Sequence, residues 1–186
     1  DHFDNSFELD AQLKGTSKEH YLFEIKEVIN KATFTYVRQQ KMLGLGHAIL
    51  TGEPLIGNQP FAVLLADDLC DFEDKSVLSQ MIEIYNRFKC SIVAIEEVPN
   101  EETNKYGIIT GELINDSDNL YQVTNMIEKP EISQAPSNLA IIGRYILTPD
   151  IFSILKEIKP DKNKELQITD ALLIQAKQGK VIAYKF

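Results

Sequence analysis

Apolar residues follow a helical period in some segments of this chain and form continuous runs in others. Residues 77–88 repeat apolar side chains at the spacing of one helix face. Residues 61–66 form a continuous apolar run, typical of a strand buried on both faces of a parallel sheet, and residues 91–98 predict another buried strand. Strand and helix therefore alternate, which predicts βαβ crossovers and a mostly parallel sheet.

Beyond residue 100 the pattern changes. Residues 106–113 and 120–128 flank a polar turn at 115–119, which predicts an antiparallel hairpin. Residues 139–147 predict a further strand. Two more helices are expected, one from Pro149 through Ile158 and one at residues 166–178.

The segment before residue 39 predicts two helices, at 6–13 and 18–30, and an extended run at 34–38. The expected buried stripe of the second helix consists of Leu22, Ile25 and Ile29. A loop with two glycines then leads into a short helix that begins near His47.

These elements predict an α/β fold: a Rossmann-like mixed, mostly parallel sheet flanked by helices, with an added antiparallel hairpin. We expect a single domain over residues 1–186, because neither an internal repeat nor a linker is visible. The composition is 44% hydrophobic and 25% charged, which fits one globular domain with a real core.

The formal net charge of −9 argues against a nucleic-acid polymer or a membrane surface as partner, since both favour clustered Lys and Arg. It leaves room for a small anion at a helix N-terminus or a few lysines. Cys70 and Cys90 border apolar runs and are expected to be buried thiols in a reducing cytoplasm. The sequence contains no stretch long enough to span a bilayer and no visible signal peptide.

Asp67 and Asp68 follow the first buried run. In open α/β sheets, ligands bind beyond the carboxyl ends of the strands. A carboxylate there can hold Mg²⁺ against a phosphate. The alternative is an ordinary helix cap or loop acid.

Residues 38–48 combine Gln39 with Gly44 and Gly46. Glycine permits close approach of the backbone to a ligand, and a glutamine amide can pair with the edge of a base. The alternative is a glycine-bearing connection into a helix.

Glu128 and Lys129 end the second hairpin strand, and Gly107 lies near the start of the first. A carboxylate can accept hydrogen bonds from sugar hydroxyls, an ammonium can meet a phosphate, and a glycine lets a sugar lie against the backbone. The alternatives are a surface ion pair and a bulge glycine.

The order of these motifs is more specific than any one of them. Along the chain the motifs are Arg38-Gln39, Gly44-Leu45-Gly46-His47-Ala48, Ala66-Asp67-Asp68, Tyr106-Gly107, Glu128-Lys129-Pro130, Ala135-Pro136-Ser137-Asn138-Leu139-Ala140, Gly143-Arg144-Tyr145 and Glu165-Leu166-Gln167-Ile168-Thr169-Asp170. With the opening segment from His2 to Glu8, they resemble the bacterial UTP–glucose-1-phosphate uridylyltransferases over essentially the whole chain. Residues 44–48 and 135–140 separate this resemblance from the sister thymidylyl- and adenylyltransferases.

The resemblance implies the fold of the nucleotide-diphospho-sugar transferases and a role for each matching residue. It assigns nucleotide binding to Gln39 and Gly44, the catalytic Mg²⁺ to Asp67, the glucose pocket to Gly107, Glu128 and Asn138, and the phosphate of glucose 1-phosphate to Lys129. Asp67 and Lys129 are the implied catalytic residues. Asp68 stands where the family varies and receives no metal role.

The implied reaction is nucleotidyl transfer from UTP to glucose 1-phosphate, which yields UDP-glucose and pyrophosphate in a cytoplasmic enzyme. The complete enzyme is expected to be a homo-oligomer.

Two features of the family are missing from the sequence. They are a glycine-rich loop with Arg and Lys before the first residue, and a second acidic metal ligand beyond the last. We therefore expect an internal part of the enzyme, incomplete at both ends and inactive by itself.

Three alternatives remain open. The first is a sibling nucleotidyltransferase for another base or sugar. The second is a metal-dependent glycosyltransferase that consumes a UDP-sugar, with Asp67 and Asp68 as its acidic metal motif. The third is a receiver-like signalling domain, against which the predicted hairpin argues.

Overall fold

The computed structural model describes residues 6–71, 74–114 and 117–186, without the side chain of Val28. The chain divides into two compact units, residues 1–38 and 39–186, and each is described by itself. The single domain over residues 1–186 stays a prediction. Expectations that involve residues 2–5, or positions 115 and 116 of the hairpin turn, lie outside the described residues.

The first unit contains the two predicted helices, α1 (Phe7–Leu13) and α2 (His20–Asn30). The Ser6 hydroxyl accepts a hydrogen bond from the Leu9 amide at 3.3 Å, which caps α1. The stripe predicted for α2 is right for Leu22, which is buried, and wrong for Ile25, which is exposed.

The extended run at residues 34–38 does not form a strand. Its β-branched and aromatic residues favour a strand only when a neighbouring strand pairs with them, and the described residues supply no such partner.

The helices of the second unit are α3 (Leu45–Thr51), α4 (Glu53–Ile56), α5 (Val77–Phe88), α6 (Asp150–Glu157) and α7 (Ile168–Lys177). Its strands are β1 (Phe61–Leu64), β2 (Ser91–Glu97), β3 (Gly107–Leu113), β4 (Leu120–Glu128), β5 (Leu139–Leu147) and β6 (Val181–Lys185). Short 3-10 helices occupy Asn100–Lys105 and Ile132–Gln134.

The sheet is mixed, as predicted, but it is not mostly parallel. In the described part of the chain its order is β1-β5-β2-β6-β4-β3, and only β2 and β6 pair in parallel. β1, β2 and β6 do share one direction, as the strand–helix–strand pattern predicts. The long antiparallel strand β5 lies between β1 and β2, and hydrophobic periodicity carries no signal for that insertion.

The predicted hairpin is confirmed as β3 and β4, with Gly107 opposite Glu128 and Leu113 opposite Tyr121. β3 also bridges to β5 between Ile108 and Ala140, which closes the strand order from β5 to β3 into a ring. This closure brings the start of β3 and the end of β4 next to β5.

Burial differs between the two strands that the sequence predicted to be buried. In β2, Val93 and Ile95 face the core beneath α3, α6 and α7, whereas Ile92 and Ala94 face α5, so burial on both faces is confirmed. In β1, Leu64 is 51% exposed and alternate residues lie open, so burial on both faces is wrong there. β1 lies at the end of the described sheet order and pairs with one strand, β5.

Both cysteines are free thiols; the predicted burial is confirmed for Cys90, whereas Cys70 is only half-buried. Burial raises the pKa of the Cys90 thiol to about 11. Among the described residues, no helix has both the length and the apolar character that crossing a membrane requires.

Candidate functional site

A pocket of about 370 Å³ opens at the end of the sheet where β1 and β4 finish and β3 begins. Four of the seven predicted site residues line it: Asp67, Gly107, Glu128 and Lys129. Gln39, Gly44 and Asn138 are not among its lining residues.

The hairpin register explains why Gly107 and Glu128 meet, because the two residues are direct partners across β3 and β4. The backbone pairing between the two segments continues for one more residue, where the Lys129 amide donates to the Tyr106 carbonyl at 3.0 Å. Lys129 has a φ of 42°, in the left-handed region that a lysine rarely occupies. Such a conformation costs on the order of 1–3 kcal/mol and recurs at ligand sites.

The Lys129 side chain is exposed, and nothing in the described ranges pairs with its ammonium group. It projects from a backbone that the hairpin holds through Glu128 and the Lys129 amide. A cation fixed in position and lacking a carboxylate partner can receive an anionic group of a ligand.

The loop after β1 is attached to an irregularity in β5. The register between β2 and β5 jumps from Tyr145 to Ile142, which leaves Gly143 and Arg144 outside that ladder. The free Gly143 amide donates to Asp68 Oδ2 at 2.9 Å. A Cβ at Gly143 would come 2.7 Å from the Leu65 Cβ, so this approach requires glycine.

The Arg144 guanidinium holds the same loop from its other side. It donates to the carbonyl oxygens of Leu65 and Gly143, each at 2.9 Å, and to that of Asp68. The loop around Asp67 is therefore fixed before and after this residue.

Asp67 and Asp68 consequently have different surroundings. The Asp68 carboxylate is engaged by the backbone of β5, whereas the Asp67 carboxylate is exposed and accepts no hydrogen bond within the described ranges. These ranges contain no group of three or more His, Cys, Asp or Glu side chains able to hold a metal. One free carboxylate still suits Mg²⁺, which commonly takes one or two carboxylates and completes its shell with water and substrate phosphates.

Two pocket residues received no role from the sequence. Thr169, in the first turn of α7, donates its hydroxyl hydrogen to Glu128 Oε2. Tyr145 on β5 is buried, and burial raises the pKa of its hydroxyl, with the negative charges of Glu128 and Asp68 adding to the effect. Tyr145 thus presents a neutral hydroxyl to the pocket. Both residues belong to motifs of the resemblance, but nothing in the linear pattern shows that they approach Glu128.

Gln39 lies beside the loop that leads into α3. Its Nε2 donates to the Gly44 carbonyl at 3.2 Å and to His47 Nδ1 at 2.9 Å, which leaves its amide oxygen as the free acceptor. Leu45, next to Gly44, lines the pocket. Gln39 and Gly44 therefore adjoin the pocket without lining it.

Gly44, just before α3, and Gly46, in the first turn of α3, have a packing role. The Gly46 amide donates to the Leu166 carbonyl at 2.8 Å, and a Cβ at Gly46 would come 2.6 Å from the same oxygen. Gly44 has a φ of 88°, and its Cβ would lie 2.9 Å from that oxygen. For Gly46, packing in the connection into a helix is enough to explain why the residue is glycine. Gly44 has the same packing role and also borders the pocket.

Asn138 is not among the residues that line the pocket with Glu128. Asn138 lines a separate hollow of about 380 Å³, together with Asn100, Thr103 and Ser137. Its carbonyl accepts a hydrogen bond from the Val98 amide at 3.0 Å, which continues the β2–β5 pairing.

A family model described as nucleotidyl transferase matches residues 4–186. A UTP–glucose-1-phosphate uridylyltransferase of Pseudomonas aeruginosa is 61% identical over all of this chain, which spans 66% of the relative's own length. A crystal structure of apo UDP-glucose pyrophosphorylase has a TM-score of 0.91 at 59% identity, covering 100% of this chain and 67% of that one. A UDP-glucose pyrophosphorylase complexed with UDP-glucose has a TM-score of 0.89 at 57% identity, with the same coverages. The resemblance drawn from the motifs is thus confirmed.

Proposed function

The chain belongs to the nucleotidyl transferase family, and from this premise we propose that the protein containing it joins UTP to glucose 1-phosphate. The products are UDP-glucose and pyrophosphate. The observation that carries the proposal is that one pocket is lined by the Asp67 carboxylate, the Glu128 carboxylate and the Lys129 ammonium. The relatives named for this activity support the same reaction.

The sugar phosphate occupies the part of the pocket between β3 and β4. Glu128 accepts a hydrogen bond from a sugar hydroxyl, and Gly107 lets the sugar ring lie close to β3. Lys129 meets the phosphate. Asn138 lines a different hollow, and its contact with the sugar stays a prediction.

The base lies near the loop before α3. With both Gln39 amide hydrogens directed to Gly44 and His47, the amide oxygen accepts from an N–H of the base. Uracil carries such an N–H between two carbonyl groups. The Gly44 backbone, which has no side chain in the way, forms the adjoining wall.

Asp67 is the residue that would hold a Mg²⁺ ion, and the bound ion would neutralise negative charge around the α-phosphate of UTP. The chain's own residues orient the reactants. A phosphate oxygen of glucose 1-phosphate attacks the α-phosphorus, and the bond from that phosphorus to the bridging oxygen of the β-phosphate breaks. Positioning and charge neutralisation carry such a reaction, and no covalent catalyst is needed.

We place this activity in the cytoplasm, where the two free thiols of the chain match a reducing compartment. A homo-oligomer remains the expected assembly of the complete enzyme.

The test is an assay on the full-length protein that contains this chain. With UTP, glucose 1-phosphate and Mg²⁺, we expect stoichiometric pyrophosphate and UDP-glucose, and much lower rates with TTP, ATP or CTP. Pyrophosphate release separates this reaction from a glycosyltransferase, which would consume UDP-glucose and release UDP. Absence of UDP-glucose formation with every nucleotide would refute the proposal.

Glu128→Gln should raise the KM for glucose 1-phosphate about 10-fold and leave the KM for UTP within twofold, because an amide accepts weaker hydrogen bonds than a carboxylate. Glu131→Gln is the matched control, because Glu131 is exposed, lies outside the pocket lining and undergoes the same chemical change. An equal loss toward both substrates would instead indicate that Glu128 has a structural role.

A further inference from the structure

Thr169 is nearly inaccessible, with 3% of its surface exposed, although it lines the pocket. A helical threonine commonly bonds back to a carbonyl one turn earlier. Thr169 is the second residue of α7 and has no earlier helical turn behind it. Its hydroxyl instead donates across the pocket wall to Glu128 Oε2.

Gly107 packs beside the same carboxylate oxygen and the Thr169 hydroxyl. A Cβ at Gly107 would lie 3.2 Å from Glu128 Oε2 and 3.4 Å from the Thr169 hydroxyl. Oε2 therefore contacts both the start of β3 and the start of α7. No donor in the described part of the chain reaches the other oxygen, Oε1.

We infer that Thr169 is a positioning residue, which holds Glu128 Oε2 so that Oε1 is directed into the pocket to accept one hydroxyl of the sugar. The inference rests on the proposed function, because it concerns the carboxylate assigned to the sugar phosphate. Without the Thr169 hydroxyl, the carboxylate would rotate about its terminal torsion and would lose its single orientation. Hydrogen bonds to a charged group are among the stronger ones, so this loss should be measurable.

The test compares Thr169→Val and Thr169→Ser in the full-length protein. Valine has the shape of threonine without the donor, and serine keeps the donor without the methyl group. Thr169→Val should raise the KM for glucose 1-phosphate about 10-fold, with the KM for UTP changed less than twofold. The KM of Thr169→Ser for glucose 1-phosphate should stay within threefold of the wild-type value.

Thr148→Val is the control for general destabilisation. The Thr148 hydroxyl accepts from the buried Gln175 amide at 3.0 Å and lies outside the pocket lining. This variant should lower the melting temperature and leave both KM values within twofold. If Thr148→Val and Thr169→Val raise the KM for glucose 1-phosphate equally, Thr169 has only a structural role and the inference fails.

Binding of UDP-glucose by titration calorimetry separates positioning from direct contact. In the wild-type background, Thr169→Val should weaken binding about 10-fold. In a Glu128→Ala background it should weaken binding less than twofold further, because its partner is gone. An undiminished loss there would mean that Thr169 contacts the sugar itself.

The two proposals fail in distinguishable ways. If the wild-type protein forms no UDP-glucose, the proposed function is wrong and the inference falls with it. If the wild type forms UDP-glucose and Thr169→Val has wild-type KM values, only the inference is wrong.

Discussion

Asp67 and Asp68 are neighbours in sequence whose roles differ because their surroundings differ. Asp68 accepts the Gly143 amide, and Arg144 binds the carbonyls on either side of Asp67. The Asp67 carboxylate is left open to the pocket. The fixed loop thus separates an anchoring carboxylate from a free one.

Asp67→Asn should lower kcat at least 100-fold and leave the melting temperature within a degree or two, because an anionic ligand is lost without a folding contact. Asp68→Asn should lower kcat less than about 10-fold, since the amide oxygen can still accept from Gly143. Steady-state kinetics at several Mg²⁺ concentrations and a thermal melt provide both readouts. A larger loss of kcat for Asp68→Asn would reverse the two assignments.

At the scale of elements, the site depends on connections between segments distant in sequence. Leu166 makes two backbone hydrogen bonds at the start of α3. Its carbonyl accepts from the Gly46 amide at 2.8 Å, and its amide donates to the Leu43 carbonyl, in the loop before α3, at 2.7 Å. Leu166 lies just before α7, whose first turn carries Thr169. The same contact therefore ties the proposed base side of the site to the proposed sugar side.

Gly46→Ala should disrupt this connection. The added Cβ would lie 2.6 Å from the Leu166 carbonyl and 2.8 Å from Leu155 Cδ2, and a backbone oxygen cannot turn aside as a side chain can. We expect a loss of about 3 kcal/mol in the free energy of unfolding, at the upper end for overpacking. Chemical denaturation of the full-length protein measures it.

Gly179→Ala is the control for Gly46→Ala. Gly179 has a φ of 72°, and its Cβ would meet nothing within 4 Å, so only backbone strain of about 1 kcal/mol is expected. Equal losses for the two variants would contradict the close approach of α3 to Leu166.

At the scale of the whole molecule, burial makes stability sensitive to alkaline pH. Burial raises the pKa of Cys90 to about 11, above its ordinary value of 9.0, and also raises that of Tyr145. A group whose pKa is raised in the folded state stabilises the fold below its unfolded pKa. That contribution is lost as pH rises through the folded value, because the unfolded chain ionises first.

The free energy of unfolding should therefore fall between about pH 9 and pH 11, and fall less steeply in Cys90→Ala. Urea titrations at several pH values give the two slopes. Alanine lowers stability at every pH by removing buried atoms, so the slope and not the absolute value is compared. Identical slopes would show that the Cys90 thiol ionises equally easily in both states.

Local patterns in the sequence predicted most elements, because hydrophobic period and capping residues act within a few residues of one another. The helix at Val77–Phe88 and the buried strand at Ser91–Glu97 were both predicted from such local patterns. The prediction of an extended run at residues 34–38 did not yield a strand, because a strand also needs a pairing partner, which local preference cannot supply. The exposure of Leu64 was missed for a related reason, since the position of β1 in the sheet is set by non-local pairing.

The sequence by itself determined the family and an α/β alternation of elements, because motif order and hydrophobic period are properties of the linear chain. It also identified Asp67, Gly107, Glu128 and Lys129, which the pocket brings together. Only the tertiary structure decided that β5 separates β1 from β2, that Asn138 lies in another hollow, and that Thr169 meets Glu128. These are contacts between segments tens of residues apart, and they depend on strand pairing and on helix packing against the sheet, which no local pattern encodes.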